Sequence, residues 1–149
     1  MIVPLTPLEF RQRAASLYGS KVGIVDGAKR FTYSEYDQRI NRLANALSEL
    51  GVGRGQVVSF ITYNSHQLLE AYYAVPQIGS VLNPINIRLS QHEIEYILNH
   101  AETRTLCLHQ DYLPLVEAMR TRLPTVNRYI IMEAKQRPQW AYDYETLLE

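Results

Sequence analysis

The sequence predicts an α/β domain with a mostly parallel sheet, helices on both faces of that sheet and a β-hairpin in front of it. The chain has 149 residues, of which 46% are hydrophobic and 20% are charged, and these values are typical of one globular domain. Runs typical of strands alternate four times with runs typical of helices, an order that favours parallel strands joined by right-handed crossovers. The pair Asp26-Gly27 lies between two apolar runs, which is a strong hairpin signal.

The first predicted elements are a short helix and the hairpin. Apolar residues at helical spacings predict a helix over residues 7–18, and Gly19 ends it. The hairpin strands are predicted at residues 22–25 and 31–33, with the turn between them.

A longer helix is predicted next. Ser34, with Asp37 three residues later, is predicted to cap it, and Gly51 is predicted to end it. Its apolar residues recur at steps of three and four and form one stripe along the helix. These residues are Tyr36, Ile40, Leu43, Ala44, Leu47 and Leu50.

Alternating strands and helices complete the predicted domain. Pro76 is expected to kink or shorten the helix that contains it, and Ser90 with Glu93 forms a capping box at the start of the next helix. The tail over residues 133–149 is predicted to be irregular, so that one domain covers residues 1–149. The remaining strands are predicted at 57–63, 80–82, 104–109 and 128–132. The other helices are predicted at 65–78, at 111–123 and in a segment that begins at residue 90. The aromatic residues that could anchor the tail are Trp140, Tyr142 and Tyr144.

The composition excludes several classes of protein. Fifteen basic and fifteen acidic residues balance, which argues against nucleic-acid and membrane-surface partners. No apolar run approaches the length of a membrane span. The single cysteine, Cys107, cannot form an internal disulfide, which predicts a reducing compartment, the cytoplasm.

Several local motifs have a structural interpretation that outweighs the chemical one. The glycine-rich loop at 51–55 follows a helix and precedes a strand, the reverse of a phosphate-binding loop, so it is predicted to be a helix cap and turn. Ser65 beside His66 is better explained as a helix cap than as a nucleophile, and Cys107 as a buried apolar residue. A solvated helix face is favoured over a metal site for His92, Glu93, Glu95 and His100. No catalytic residue and no metal ligand is predicted.

The segment 82–90 is the best candidate for ligand binding. It follows a predicted parallel strand, and ligands of open α/β sheets bind at the carboxyl ends of strands. Asn83, Asn86 and Arg88 place polar groups there, and the Arg88 guanidinium is suited to phosphate. The alternative is a plain loop in which the asparagines satisfy backbone groups while Arg88 points to solvent.

Six segments of the sequence resemble the opening of an acyl-CoA synthetase, in the adenylate-forming, AMP-binding superfamily. The similarity runs in order along most of the chain and is closest to the branch that activates fatty and aromatic acids. The segments are FTYSEY at 31–36, LSELGVGRGQVV at 47–58, NS at 64–65, YAVPQIGSVLNPIN at 73–86, RLS at 88–90 and EIEYILN at 93–99.

The resemblance implies a two-step ligase and a partial fold. Such enzymes join a carboxylic acid to AMP with ATP and magnesium, and then exchange AMP for the thiol of coenzyme A. Their Ser/Thr-Gly-rich phosphate loop has no match here, so the chain is expected to be an inactive amino-terminal fragment. Its expected fold is a partial subdomain of the adenylate-forming fold. Its expected partners are the remaining subdomains and a small carboxylic acid. The alternative is a stand-alone binding or dimerisation module, with a homodimer as its possible state.

One ligand contact is implied by the resemblance. The arginine of the Asn-x-Arg-Leu pattern approaches the phosphates of coenzyme A in the aromatic branch of these enzymes, and Arg88 matches that arginine. Arg88 is therefore the candidate cofactor-binding residue, although no cofactor is expected to bind firmly to these residues alone.

Overall fold

The computed structural model describes residues 6–149, and it confirms the predicted α/β architecture with a hairpin in front of a parallel sheet. Residues 1–5 of the predicted domain lie outside the described residues. No helix within 6–149 is long and apolar enough to cross a lipid bilayer. The helices are α1 Pro7–Tyr18, α2 Tyr33–Glu49, α3 His66–Gln77, α4 Gln91–His100, α5 Leu113–Met119 and α6 Tyr144–Leu147. The strands are β1 Val22–Asp26, β2 Lys29–Thr32, β3 Val57–Ile61, β4 Val81–Pro84, β5 Thr105–His109, β6 Arg128–Met132 and β7 Tyr142–Asp143.

The strands form two separate sheets. Strands β1 and β2 make an antiparallel pair, while the other five lie in the order β4-β3-β5-β6-β7 and are all parallel. The chain moves from β3 to one side to form β4, and then crosses back to form β5 on the other side. The strand order therefore reverses at β3, which creates a topological switch point between the carboxyl ends of β3 and β5.

Each face of the five-stranded sheet has its own apolar core. Side chains alternate along a strand, so Cys107 of β5 faces the first core while Leu106 and Leu108 face the second. Helices α2, α3 and α6 contribute to the first core, and α4 and α5 contribute to the second. Cys107 is fully buried, as predicted, and burial raises the pKa of its thiol.

Helix α2 begins two residues earlier than the sequence predicts. Thr32, not Ser34, is the N-cap: its hydroxyl accepts a hydrogen bond from the Glu35 backbone N–H at 3.2 Å, and the Glu35 carboxylate accepts one from the Thr32 N–H at 2.7 Å. The predicted Ser34–Asp37 cap is wrong because β2 keeps an extended backbone only as far as Thr32. Ser34 lies in the first turn of the helix.

The structure also differs from the sequence prediction after residue 110. The predicted helix over 111–123 is divided into short 3-10 turns at Gln110–Tyr112 and Arg120–Arg122 on either side of α5. The tail predicted to be irregular contains β7 and α6, and Tyr144 is fully buried. These elements have two and four residues, too few for a periodic pattern to show in the sequence.

The other predicted helix ends are confirmed. The Ser65 hydroxyl accepts a hydrogen bond from the Leu68 N–H at 3.3 Å, and Ser90 and Glu93 form their capping box. The loop at 51–55 is a cap and turn, since Gly51 and Gly55 both have φ near +78°, a left-handed conformation that glycine adopts at little cost.

Candidate functional site

The loops that follow the parallel strands all lie at one edge of the sheet, which we call the carboxyl edge. Carboxyl ends of parallel strands share an edge, and open α/β proteins bind ligands there. The loops begin at Thr62 after β3, at Ile85 after β4, at Gln110 after β5 and at Glu133 after β6. Candidate functional side chains are therefore those in or against these loops.

Arg88 lies at the carboxyl edge, in the loop between β4 and α4. It is exposed, and its only hydrogen bond among residues 6–149 is made by its backbone N–H. Its guanidinium makes no ion pair with any carboxylate of the described residues. Ser90, the N-cap of α4, is two residues further on, so Arg88 lies near the positive end of a helix dipole. A free guanidinium at a helix N-terminus favours an anion.

The two asparagines of the predicted ligand segment have structural roles. Asn83 donates a hydrogen bond to the Ser59 hydroxyl at 3.0 Å, and Ser59 in turn bonds to the Thr103 hydroxyl at 2.7 Å inside the protein. The Asn86 side-chain oxygen accepts a hydrogen bond from the Arg88 N–H at 3.0 Å. Asn86 thus satisfies a backbone group, as in the structural alternative, whereas Asn83 bonds to a side chain instead. Arg88 is the residue of this segment whose side chain has no hydrogen-bond partner among the described residues.

A second site, which the sequence did not reveal, joins the hairpin to α3. Asp26 at the end of β1 accepts hydrogen bonds from the His66 backbone N–H at 3.0 Å and from the His66 ring Nδ1 at 2.6 Å. His66 is only 2% exposed. The pair lines a cavity of about 290 Å³ whose other walls include Ile24, Val25, Asn64, Ser65, Leu68, Leu69 and Tyr72.

Carboxylates near His66 favour its charged form. Burial favours the neutral ring, but contacts with Glu145 and Asp26 outweigh it and raise the pKa of His66. The His66 ring Nε2 is 3.9 Å from the Glu145 carboxylate, too far for a good hydrogen bond, so this attraction is between charges. His66 and Arg39 lower the pKa of Glu145 to about 2, and hydrogen bonds from His66 lower the pKa of Asp26.

This arrangement stabilises the protein rather than preparing a nucleophile. Both ring nitrogens of His66 face carboxylates, so neither is available as a base for a ligand. The neighbouring Ser65 hydroxyl caps α3, as predicted. Asp26 and His66 are 40 positions apart in the chain, so no local spacing could have indicated their contact.

Aromatic rings cover the switch point between β3 and β5. The Tyr63 ring lies 5.1 Å from that of His109 and 5.6 Å from that of Tyr112, measured between ring centroids. Its hydroxyl donates to the Asp111 carboxylate at 3.2 Å, and hydrogen bonding to Tyr112, together with Asp111, raises the pKa of Tyr63 to about 12. Nearby, Glu133 has a left-handed backbone with φ of 57° and pairs with Lys29 of the hairpin at 3.2 Å. These contacts order the loops that follow β3, β5 and β6.

Three of the four α4 residues considered as metal ligands, Glu93, Glu95 and His100, make other contacts. Glu93 belongs to the capping box, and Glu95 pairs with Arg122 at 2.9 Å. The His100 ring stacks on Tyr96 with 5.6 Å between centroids. These contacts fit the interpretation of α4 as an ordinary helix face.

Sequence comparisons match this chain to one family of enzymes. The sequence profile of the AMP-binding enzymes matches residues 10–146. A long-chain-fatty-acid–CoA ligase of Thermus thermophilus is 44% identical over 144 residues, which cover 94% of this chain and 26% of that protein. A peroxisomal benzoate–CoA ligase of Arabidopsis thaliana is 41% identical over 110 residues, or 74% of this chain and 19% of that protein.

Solved structures give the same fold. An anthranilate–CoA ligase in complex with anthranoyl-AMP superposes with a TM-score of 0.93 at 23% identity, over 99% of this chain and 28% of the ligase. A putative long-chain-fatty-acid–CoA ligase from Rhodopseudomonas palustris has a TM-score of 0.88 at 26% identity, over 96% of this chain and 36% of that one. The chain spans about a quarter of the length of the Thermus relative.

Proposed function

Because the chain belongs to the AMP-binding enzyme family, we propose that it supplies the amino-terminal part of an ATP-dependent acid–CoA ligase. The observation that carries this proposal is the family match over residues 10–146, supported by 44% identity to a fatty-acid–CoA ligase. The proposed overall reaction converts a carboxylic acid, ATP and coenzyme A into acyl-CoA, AMP and pyrophosphate. The proposed partners are the acid and the remaining subdomains of such a ligase, and the buried free thiol of Cys107 is consistent with the cytoplasm.

Within this function, Arg88 is the proposed contact for the phosphates of coenzyme A. The chemistry of the residue fits, since its guanidinium is exposed, free of carboxylates among the described residues and close to the N-terminus of α4. Coenzyme A supplies the thiol that displaces AMP from the acyl group. The part played by Arg88 is to hold an anionic group of the cofactor by charge-assisted hydrogen bonds. No residue of this chain is assigned to ATP or to magnesium.

The 149 residues alone are proposed to be inactive. The first step of the reaction needs a cradle for the phosphates of ATP, and the sequence contains no Ser/Thr-Gly-rich loop with a lysine that would form one. A pyrophosphate-exchange assay on the purified chain tests this with ATP, magnesium and a panel of fatty and aromatic acids. We expect no exchange above background, and acid-dependent exchange would show that the chain is an enzyme in its own right.

A chimaera tests the function itself. The 149 residues replace the matching segment of the Thermus ligase, and formation of acyl-CoA is measured. We expect the chimaera to be active, and we expect Arg88→Ala to raise its KM for coenzyme A by about ten- to hundredfold, since a hydrogen bond to a charged group is worth about 1.5–3 kcal/mol. The KM for ATP should not change.

Arg104→Ala is the matched control for the chimaera. Arg104 is also an exposed arginine, but it precedes β5 and so lies at the opposite edge of the sheet. A folded chimaera without ligase activity would contradict the proposed function. An equal effect of the two substitutions on the KM for coenzyme A would contradict the assignment of Arg88.

A stand-alone dimerisation module is the second candidate, and one observation favours it. Large apolar side chains are exposed on α1, β1 and α3, and exposed apolar groups are typical of an interaction surface. Sedimentation of the purified chain tests this candidate, because a chain that stays monomeric at tens of micromolar does not dimerise through these side chains. The exposed side chains are Phe10, Leu17, Tyr18, Val22, Val25, Leu69 and Tyr72.

A further inference from the structure

The position of Arg88 depends on the backbone of its loop, because its side chain has no partner among the described residues. A flexible arginine binds a phosphate less tightly than one whose backbone is already ordered, because ordering costs free energy at the moment of binding. The contacts that order residues 85–90 therefore bear directly on how well Arg88 can bind an anion.

Alternate residues anchor this loop to the second core. Ile85 is buried, and its backbone N–H donates to the Phe60 carbonyl of β3 at 2.8 Å. Ile87 and Leu89 pack against the same core. Asn86 and Arg88 are both exposed, so the loop holds its apolar residues inward and presents these two polar residues to solvent.

Asn86 closes the turn that contains Arg88. Its side-chain oxygen accepts a hydrogen bond from the Arg88 N–H at 3.0 Å, and its backbone carbonyl accepts one from the Leu89 N–H at 3.3 Å. This is an asparagine turn, in which the side chain bonds to the backbone two residues further on. The first of these bonds is the only one that the Arg88 N–H makes within residues 6–149.

We propose that Asn86 is a positioning residue for Arg88, and that the two act together to bind the phosphates of coenzyme A. This inference rests on the proposed function, because it takes Arg88 to be the phosphate contact. Without the Asn86 oxygen, the Arg88 N–H turns to water and the turn loosens, while the anchors at Ile85, Ile87 and Leu89 keep the loop on the core. The change is local to the turn, so the chain still folds while its affinity for the cofactor falls.

The test measures two quantities. Nuclear magnetic resonance of the isotopically labelled 149-residue chain gives the hydrogen-exchange rate of the Arg88 amide, and acyl-CoA formation by the chimaera gives the KM for coenzyme A. For Asn86→Ala we expect faster exchange at Arg88 and a KM for coenzyme A raised about fivefold, the factor that one such hydrogen bond represents. Asn86→Ser should recover part of both effects, because a serine hydroxyl makes the same turn more weakly.

Two controls separate positioning from folding. Asn45 is an exposed asparagine on α2, and Asn45→Ala should change neither quantity. The free energy of unfolding in urea should fall by no more than about 1 kcal/mol for Asn86→Ala, the contribution of one hydrogen bond.

The possible failures can be told apart. If Arg88→Ala raises the KM of the chimaera for coenzyme A but Asn86→Ala does not, the role of Asn86 is refuted and Arg88 stands. If Asn86→Ala raises this KM while the Arg88 amide exchanges as slowly as before, Asn86 contacts the cofactor itself and positioning is refuted. If Arg88→Ala leaves the KM for coenzyme A unchanged, the assignment of Arg88 falls, and the inference falls with it.

Discussion

The side chain of Glu70 in α3 has no exposure to solvent, and two other side chains stabilise its carboxylate. Arg39 of α2 pairs with it at 2.5 Å, and the hydroxyl of Tyr144 in α6 donates to it at 2.6 Å. A buried charge without a partner is strongly destabilising. This one residue therefore ties together the three helices that cover the first core.

Removing Arg39 should be costly. Arg39→Ala leaves the Glu70 carboxylate buried beside a single hydroxyl, and we expect the free energy of unfolding in urea to fall by about 3–5 kcal/mol. Tyr144→Phe removes one hydrogen bond and should cost about 1–2 kcal/mol. Arg13 is exposed on α1, and Arg13→Ala should change the stability by less than about 0.5 kcal/mol. Equal losses for Arg39→Ala and Arg13→Ala would mean that the pair of Arg39 and Glu70 does not stabilise the fold.

At the scale of elements, the start of α2 separates two possible caps. Thr32 makes the capping hydrogen bonds, whereas Ser34 lies inside the first turn. Thr32→Ala should therefore lower the free energy of unfolding by about 1 kcal/mol. Ser34→Ala should be neutral within about 0.5 kcal/mol, since alanine favours a helix. Chemical denaturation of the two variants decides the matter, and a larger loss for Ser34→Ala would restore the sequence-based assignment.

The sequence predicts the element bounds that local signals determine and misses those that depend on tertiary contacts. Helix α1 has the predicted bounds, and α3 ends within a residue of its predicted end, because caps and apolar spacing act within a few residues. The α2 cap was missed because two plausible motifs overlap over residues 32–37, and only the length of β2 chooses between them. Strand β7 and helix α6 were missed because pairing with β6 stabilises β7, while contacts with Arg39 of α2 and Glu70 of α3 stabilise α6. No local pattern reports such contacts.

The candidate site residues divide in the same way. The position of Arg88 at the carboxyl edge could be predicted from the sequence, because its loop follows a strand and precedes a capped helix. The contact between Asp26 and His66 could not be found, because the hairpin must first fold back onto α3. From the sequence, the turn at Asn86 could be inferred only from the general preference of asparagine for turns. The structure identifies the group that its side chain binds, the Arg88 N–H.

At the scale of the whole molecule, His66 joins three parts of the chain that are distant in sequence. It belongs to α3, it bonds to Asp26 of the hairpin at 2.6 Å, and it faces Glu145 of α6 at 3.9 Å. A two-stranded hairpin is at best marginally stable on its own, and the short tail has still less structure to stabilise it. The charge on His66 should therefore influence the stability of the whole protein.

The stability of the protein should fall as the pH rises through the neutral range. The pKa of His66 is raised above its usual value of 6.5, so its contribution is complete below about pH 6.5 and is lost as the pH rises past the folded-state pKa. The pKa of Asp26 and of Glu145 is lowered, to about 2 for Glu145, so their contribution is lost only in acid, below about pH 4.

The free energies of unfolding in urea of the protein and of His66→Gln should differ most near pH 5–6 and become equal by about pH 9. His92 is exposed on α4, and His92→Gln should follow the unmodified protein at every pH. A constant difference between the protein and His66→Gln from pH 5 to pH 9 would mean that packing of the ring, and not its charge, holds the hairpin and the tail to α3.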